Sequence, residues 1–486
     1  MSTLRKLAGQ TAIYGLSSIV ARFLNFLLTP LYTSKGVFPP EEYGVITGFY
    51  AWAAFLAVLL TFGMETTFFR FANANTPHPL TPSPGERGRN AYATAFFSVA
   101  GIALPFMLVA ALFPDAIAAA MRYPEHGQLV WMLALALGLD ALTAIPMARL
   151  RHEERPWRFA AVNMTNIGVT VALSLYFFAY RMPMDPSIGV GHVFLINLIA
   201  SVVKFLLLVP QWPRFAQFDR NLLRPMRAFA WPLAIAGLAG MVNETADRAV
   251  LKYLLPADTA DAELGIYGAC YKLAVLITLF IQAFRMGAEP FFFSHAKEKN
   301  SKETFARIMN VFVAVCMSAF LVVMLFLDQF KWFIRNPEFH AGLKVVPILM
   351  LANVFLGIYY NQSVWYKLTD RTRAGSAISL IGAGITLVLL FVLIPRMGYM
   401  GAAWTTLICY ASMAVISYVW GQRHYPVPYN VTRVLGYMAF AVFAWWGCEQ
   451  LSLEGVMRHS VRGVLLAAYV LIAWRIEKWP SPTLAV

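Results

Sequence analysis

The stretch Gly237-Leu-Ala-Gly-Met-Val-Asn-Glu-Thr-Ala-Asp-Arg-Ala-Val-Leu-Lys-Tyr-Leu-Leu-Pro256 decides how the chain is read. It follows the apolar run Phe229-Ala-Trp-Pro-Leu-Ala-Ile-Ala236, and the two together are long enough to cross a bilayer. The segment nevertheless carries Asn243, Glu244, Asp247 and Arg248. On a helix, Asn243 and Asp247 are four apart, as are Glu244 and Arg248, so each pair can meet on one face. A charge inside a span costs several kcal/mol on most scales and normally faces protein or a wet cavity. Two readings follow: a neutralised Glu244–Arg248 pair that fixes helix packing, or the charged wall of a transport cavity.

Composition sets the class. Of 486 residues, 59% are hydrophobic and 13% charged, and the mean hydropathy is +0.60. Soluble proteins carry about a quarter charged residues, so this composition predicts an all-α polytopic membrane protein. The net charge of +14 does not point to nucleic acid, because the basic residues cluster in short loops between apolar runs, as the positive-inside rule requires. Cys270, Cys316, Cys409 and Cys448 lie inside apolar runs without metal-ligand spacing and read as small core hydrophobes. The first apolar run is long and contains Arg22, unlike a cleaved signal peptide. No metal cluster, cofactor motif or catalytic constellation is visible, which argues against an enzyme.

A ~20-residue criterion predicts about fourteen spans, at roughly 9–32, 42–64, 91–113, 127–148, 159–180, 190–210, 229–255, 263–288, 305–328, 341–363, 375–395, 400–420, 431–451 and 460–475. Of the 39 basic residues, Arg22, Lys204, Arg248, Lys272 and Arg285 are set apart as span residues, and those at span ends are counted with the adjoining loop. Of the others, 24 lie in loops on one side, including Arg149, Arg151, Arg155 and Arg158, and 10 on the other. The bias predicts that both termini are cytoplasmic. The Pro- and Gly-rich segment 76–89 reads as a mobile cytoplasmic spacer.

The second half echoes the first. Arg22 precedes Pro30 by the spacing that separates Arg248 from Pro256. Glu42-Tyr-Gly-Val-Ile-Thr-Gly-Phe-Tyr50 and Glu263-Leu-Gly-Ile-Tyr-Gly-Ala-Cys-Tyr271 each open a span. Phe62-Gly-Met and Phe284-Arg-Met close the same two spans. Arg149-Leu and Lys367-Leu, each followed by a further arginine, come after the fourth and tenth spans. The order predicts two pseudo-symmetric six-helix lobes, 1–220 and 221–425, with two added helices in 426–486. It also sets Arg22 and Arg248 at equal depth, about 12 Å from the outer ends of their helices at 1.5 Å per residue. Guanidinium groups so placed suit a phosphate-bearing anion. Lys272 is a further basic candidate. Lys204 and Arg285, nearer the cytoplasmic ends, are expected to snorkel. Asp140 either joins a proton or cation relay or pairs with Arg149 or a neighbour; Glu65 and Glu289 are edge acids.

Asn243-Glu-Thr-Ala-Asp-Arg248, Gly265-Ile-Tyr-Gly-Ala-Cys-Tyr-Lys-Leu-Ala-Val275 and Gln282-Ala-Phe-Arg-Met-Gly-Ala-Glu-Pro-Phe-Phe-Phe293 resemble bacterial Wzx-like polysaccharide biosynthesis flippases. These belong to the MOP superfamily, with the MATE exporters and lipid II flippases. The resemblance implies an inner-membrane transporter that moves a polyprenyl-diphosphate-linked oligosaccharide between leaflets by alternating access. It implies Arg22 and Arg248 as diphosphate ligands, matching the cavity arginines of lipid II flippases. Glu244, Asp247 and Asp140 are the candidates for coupling to a proton or sodium ion, and membrane lipids are the remaining partners. A lipid II flippase, a MATE-like cation or drug antiporter and a membrane glycosyltransferase are the competing readings. The last needs a large outer loop that this sequence lacks.

Overall fold

The computed structural model describes residues 2–73, 84–296, 298–451 and 455–477. Among these, fourteen helices are long and apolar enough to cross a membrane, and no strand occurs. The chain divides into two compact units, Met1–Gly265 and Ile266–Val486.

The first unit holds α1 (Ile13–Tyr32), α2 (Pro40–Ala72), α3 (Gly88–Leu112), α4 (Gly127–His152), α5 (Pro156–Arg181), α6 (Val190–Gln211) and α7 (Arg220–Leu254). Helix α4 is its centre, packed by α3 on one side and α6 on the other. Its small residues allow close approach, the usual means of packing helices in lipid. A Cβ on Gly138 would run into the Met107 side chain of α3. The core below it joins Phe68, Tyr92, Phe96, Val99 and Ile145 with Met226 and Ala230 of α7. Helix α1 packs on α5, and α7 on α2.

Helix α7 begins at Arg220 and not near 229, because Asp219 caps it by accepting from the Asn221 N–H at 2.8 Å. At 35 residues it is roughly 50 Å long, well beyond a hydrocarbon core of about 30 Å. Contact and repeat therefore divide the chain at different points: the repeat breaks before α7, whereas α7 packs with the first unit. Residues from Pro84 onward are helical, so the second part of the expected spacer extends α3 with proline leading the first turn. Residues 74–83 of that spacer lie outside the described residues.

Helix α2 is interrupted at Phe62 and Gly63, whose φ angles are +47° and +66°. Glycine suits position 63 twice over. Its φ is positive, and a Cβ would stand 3.0 Å from the Leu233 Cβ and 3.2 Å from the Ala230 carbonyl of α7.

Helix α8 (Ala260–His295) carries the unit boundary within it. Its first turn crosses α2 through equivalent glycines of the repeat. A Cβ on Gly44 would strike the Asp261 carbonyl, and one on Gly265 would strike the Pro40 carbonyl and lie 2.9 Å from the Gly44 nitrogen.

The second unit continues with α9 (Ser301–Leu325), α10 (Pro337–Leu368), α11 (Thr372–Met397), α12 (Tyr399–His424), α13 (Val431–Gln450) and α14 (Gly455–Ile476). Helix α12 packs on α10 and α11, and α13 and α14 pack on α9. The added pair is tied at one end by Arg462, whose side chain is 2% exposed between Asp328 (3.0 Å) and Glu449 (3.2 Å).

Candidate functional site

The four polar residues of the opening stretch occupy one region of α7, but not with the expected pairing. Asp247 is buried and Glu244 exposed. The Arg248 guanidinium is 17% exposed and its Nε donates to Asp247 Oδ1 at 3.3 Å. Its Nη2 donates to the Glu244 main-chain carbonyl. The i, i+4 spacing thus serves a main-chain acceptor, and the neighbouring carboxylate takes the charge.

A second polar wall runs along α6. Asn197, Ser201 and Lys204 recur at helical spacing, so they share a face. Asn197 donates to the Tyr50 hydroxyl of α2. Asp140 of α4 receives Ser201 at 3.2 Å and Lys204 at 3.0 Å. Lys204 therefore does not snorkel, and Asp140 takes it in place of Arg149, which binds Glu153 one turn away at 2.5 Å. Asp140 remains 44% exposed although it lies near the middle of a 26-residue span. A carboxylate at that depth needs water or protein around it.

Arg22 is exposed on α1, and Lys272 is partly buried on α8 in the second unit.

Ion pairs at the ends of the second and eighth spans repeat each other. Glu65 accepts from Arg151, which follows the core of α4. Glu289 accepts from Lys367 at the end of α10 and from Arg285, both at 2.8 Å. Arg285 is thus held by an acid rather than snorkelling. A sequence signal exists: Glu65 and Glu289 both follow the repeated Phe-x-Met, Arg285 lies within it, and Arg151 and Lys367 fall in the repeated Arg/Lys-Leu segments.

A third cluster had no local signal. Lys252 near the end of α7 places its ammonium 2.8 Å from both Asp261 oxygens and 3.2 Å from the centre of the Tyr123 ring. Tyr123 lies in the loop before α4, so the cluster joins positions more than a hundred residues apart. Burial first, then the Lys252 charge, push the adjoining His126 imidazole below its ordinary value.

Fourteen apolar spans with charged groups of both signs inside them define a polytopic helical membrane protein. The chain belongs to the polysaccharide biosynthesis protein family, whose model matches residues 37–286, just over half of its length. Three solved structures share the architecture. The lipid II flippase MurJ in an inward closed conformation superposes with a TM-score of 0.74 at 12% identity, over 95% of this chain and 99% of that one. An inward-facing multidrug resistance MATE family transporter gives 0.66 at 13%, over 85% and 97%. A MOP superfamily transporter from Pyrococcus furiosus, described as having a binding pocket of reversed polarity, gives 0.55 at 12%, over 86% and 95%. At these identities the likeness is one of fold. No curated protein matches the chain by sequence.

Proposed function

We propose that this protein flips a polyprenyl-diphosphate-linked oligosaccharide across the bacterial cytoplasmic membrane for surface polysaccharide assembly. Family membership supports the reading, and the carrying observation is the charge set within the spans: Arg248 on Asp247 in α7, and a half-exposed Asp140 on Lys204 in α4 and α6. Hydrocarbon does not tolerate such groups, so a water-filled cleft beside them gives sugar and phosphates a polar route while the lipid tail stays in the bilayer. Both termini face the cytoplasm in this account, and the residues divide into lobes 1–220 and 221–425 with 426–486 appended.

Arg22, Arg248 and Lys272 are the diphosphate ligands. The Arg248 fork matches a phosphate bidentately, and a diphosphate there competes directly with Asp247. Glu244 and Asp247, which flank Arg248, are the candidates that couple transport to a proton or sodium ion. A single charge moved across the field is worth about 2.3 kcal/mol per 100 mV. Asp140 is the further coupling candidate.

The likeness to MurJ supports a second reading in which the cargo is lipid II, which presents the same diphosphate. Reconstituted vesicles loaded with either lipid decide between them. The proposed reading expects translocation of the lipid-linked oligosaccharide and none of lipid II; the reverse result transfers the assignment.

A further inference from the structure

A cavity of about 420 Å³ opens in the second unit where α9 and α13 begin and α14 ends, lined by Glu303, Arg307, Asn310, Pro428, Arg433 and Glu477, among others. No step of the transport reading uses it. Glu303, Arg307 and Asn310 stand at i, i+4 and i+7 of α9, one stripe that steps from the helix end into the span by about 6 Å and then about 4.5 Å. Across the cavity, Arg433 donates to Glu477 Oε1 at 3.1 Å, and the Tyr437 hydroxyl donates to the same oxygen at 2.9 Å. Glu477 thereby fixes the Arg433 guanidinium, and Arg307 donates to the Glu477 carbonyl at 3.3 Å. Asn310 is 5% exposed, and its Oδ1 is buried with no hydrogen-bond partner among the described residues. A buried amide end without a partner costs roughly 1–3 kcal/mol unless an unseen group completes it.

We propose that this cavity binds the headgroup of a glycerophospholipid carrying a primary ammonium, of the phosphoethanolamine type. Three features of the stripe select it. The order of chemistry from rim to depth is carboxylate, guanidinium, carboxamide, and the order along such a lipid is ammonium, phosphate, ester carbonyl. Two arginines and two glutamates line the cavity, a balance suited to a zwitterion rather than a net anion. The Asn310 carboxamide brings an NH2 donor for the ester to the depth where the tails begin. The basic loops adjoining this end make it the cytoplasmic side by the charge bias. The bound lipid would join α9 to the appended pair α13–α14.

The test uses the full-length protein, delipidated in detergent and titrated with phosphatidylethanolamine, phosphatidylcholine, phosphatidylglycerol or inorganic phosphate, read by native mass spectrometry. Phosphatidylcholine carries the same phosphate but no N–H donor. The expected result is at least tenfold tighter binding of phosphatidylethanolamine than of phosphatidylcholine, with inorganic phosphate not competing below millimolar concentrations. Glu303→Gln, an exposed change that leaves the fold intact, should erase that preference, and Arg307→Gln/Arg433→Gln should abolish binding of both lipids. Equal binding of phosphatidylethanolamine and phosphatidylcholine, a preference for phosphatidylglycerol, or full competition by free phosphate would overturn the proposal. So would a preference unchanged in Glu303→Gln. None of these outcomes bears on the glycolipid transport reading.

Discussion

At the scale of single residues, the partner of Arg248 decides between a packing pair and a working site. Spacing alone favoured the Glu244 carboxylate, but the guanidinium turns to Asp247 one residue before it, since the i−4 main-chain carbonyl already occupies the other nitrogen. If Arg248 were only a counter-charge, Arg248→Ala would lower stability and Asp247→Asn would rescue it. The transport reading expects Arg248→Ala to insert normally and export less glycan, and Asp247→Asn to export without its normal pH dependence; export assays at matched protein level check both. Arg462 is a structural group by contrast. Removing it takes the 3.2 Å partner from Glu449 and leaves Asp328 with Arg458 and Lys331. Arg462→Ala should cost about 2–3 kcal/mol in thermal unfolding, short of the full range for buried pairs because the acids are partly exposed. Asp328 gives that clasp a pH dependence. Burial raises its carboxyl, but the Arg462 hydrogen bond and the charges of Arg458, Arg462 and Lys331 outweigh it and hold the group below the usual carboxylate value. A depressed carboxylate stabilises the fold above its unfolded value of 3.8 and loses that contribution as pH falls through the folded value. The clasp should therefore loosen only in strong acid, below about pH 4, and Asp328→Asn should remove that acid-sensitive step from the unfolding profile.

At the scale of elements, the crossing of α2 and α8 at Gly44 and Gly265 is the most constrained contact in the first unit. Each hydrogen faces the other helix's main chain, which cannot yield as a side-chain tip can. Gly44→Ala should cost roughly 1–3 kcal/mol by overpacking, whereas alanine at Gly88, where a Cβ meets nothing within 4 Å, should be silent. A thermal-shift comparison of the two checks the contrast. The nearby Lys252–Asp261–Tyr123 cluster should be sensitive to His126. Its value is lowered, so the folded state favours the neutral ring and loses stability as pH falls below the unfolded value of 6.5. His126→Gln should flatten the fall in stability just below pH 6.5. The sequence marks Gly44 and Gly265 as equivalent, because Glu42-Tyr-Gly and Glu263-Leu-Gly repeat at span openings, but not that they cross. Partners distant in the chain were not legible. Asp140 meets Lys204 and Tyr123 meets Lys252 only through tertiary packing, and no period within a helix encodes that. Helix starts were also displaced, at Arg220 and Pro84, because hydropathy marks where lipid begins and not where a capped helix begins.

At the scale of the whole molecule, apolar runs of about twenty residues made all fourteen spans readable, because each run must satisfy its own backbone within the bilayer. The charge bias predicts a topology that labelling can test. Cysteines placed at Lys35 and Trp332 should react with an impermeant reagent from outside, and one at Arg371 only after lysis. The opposite pattern would invert the orientation. The role of the charges is a different matter, since spacing predicts equal depth for Arg22 and Arg248 but not what they bind. The most direct measurement is glycan export by the Arg22→Ala/Arg248→Ala double variant at normal membrane abundance. Each guanidinium contributes about 1.5–3 kcal/mol through charge-assisted bonds to a phosphate. The account therefore predicts partial loss in either single variant, intermediate export with lysine at both positions, and no export in the double alanine variant. Export by that double variant at the parental rate would contradict it.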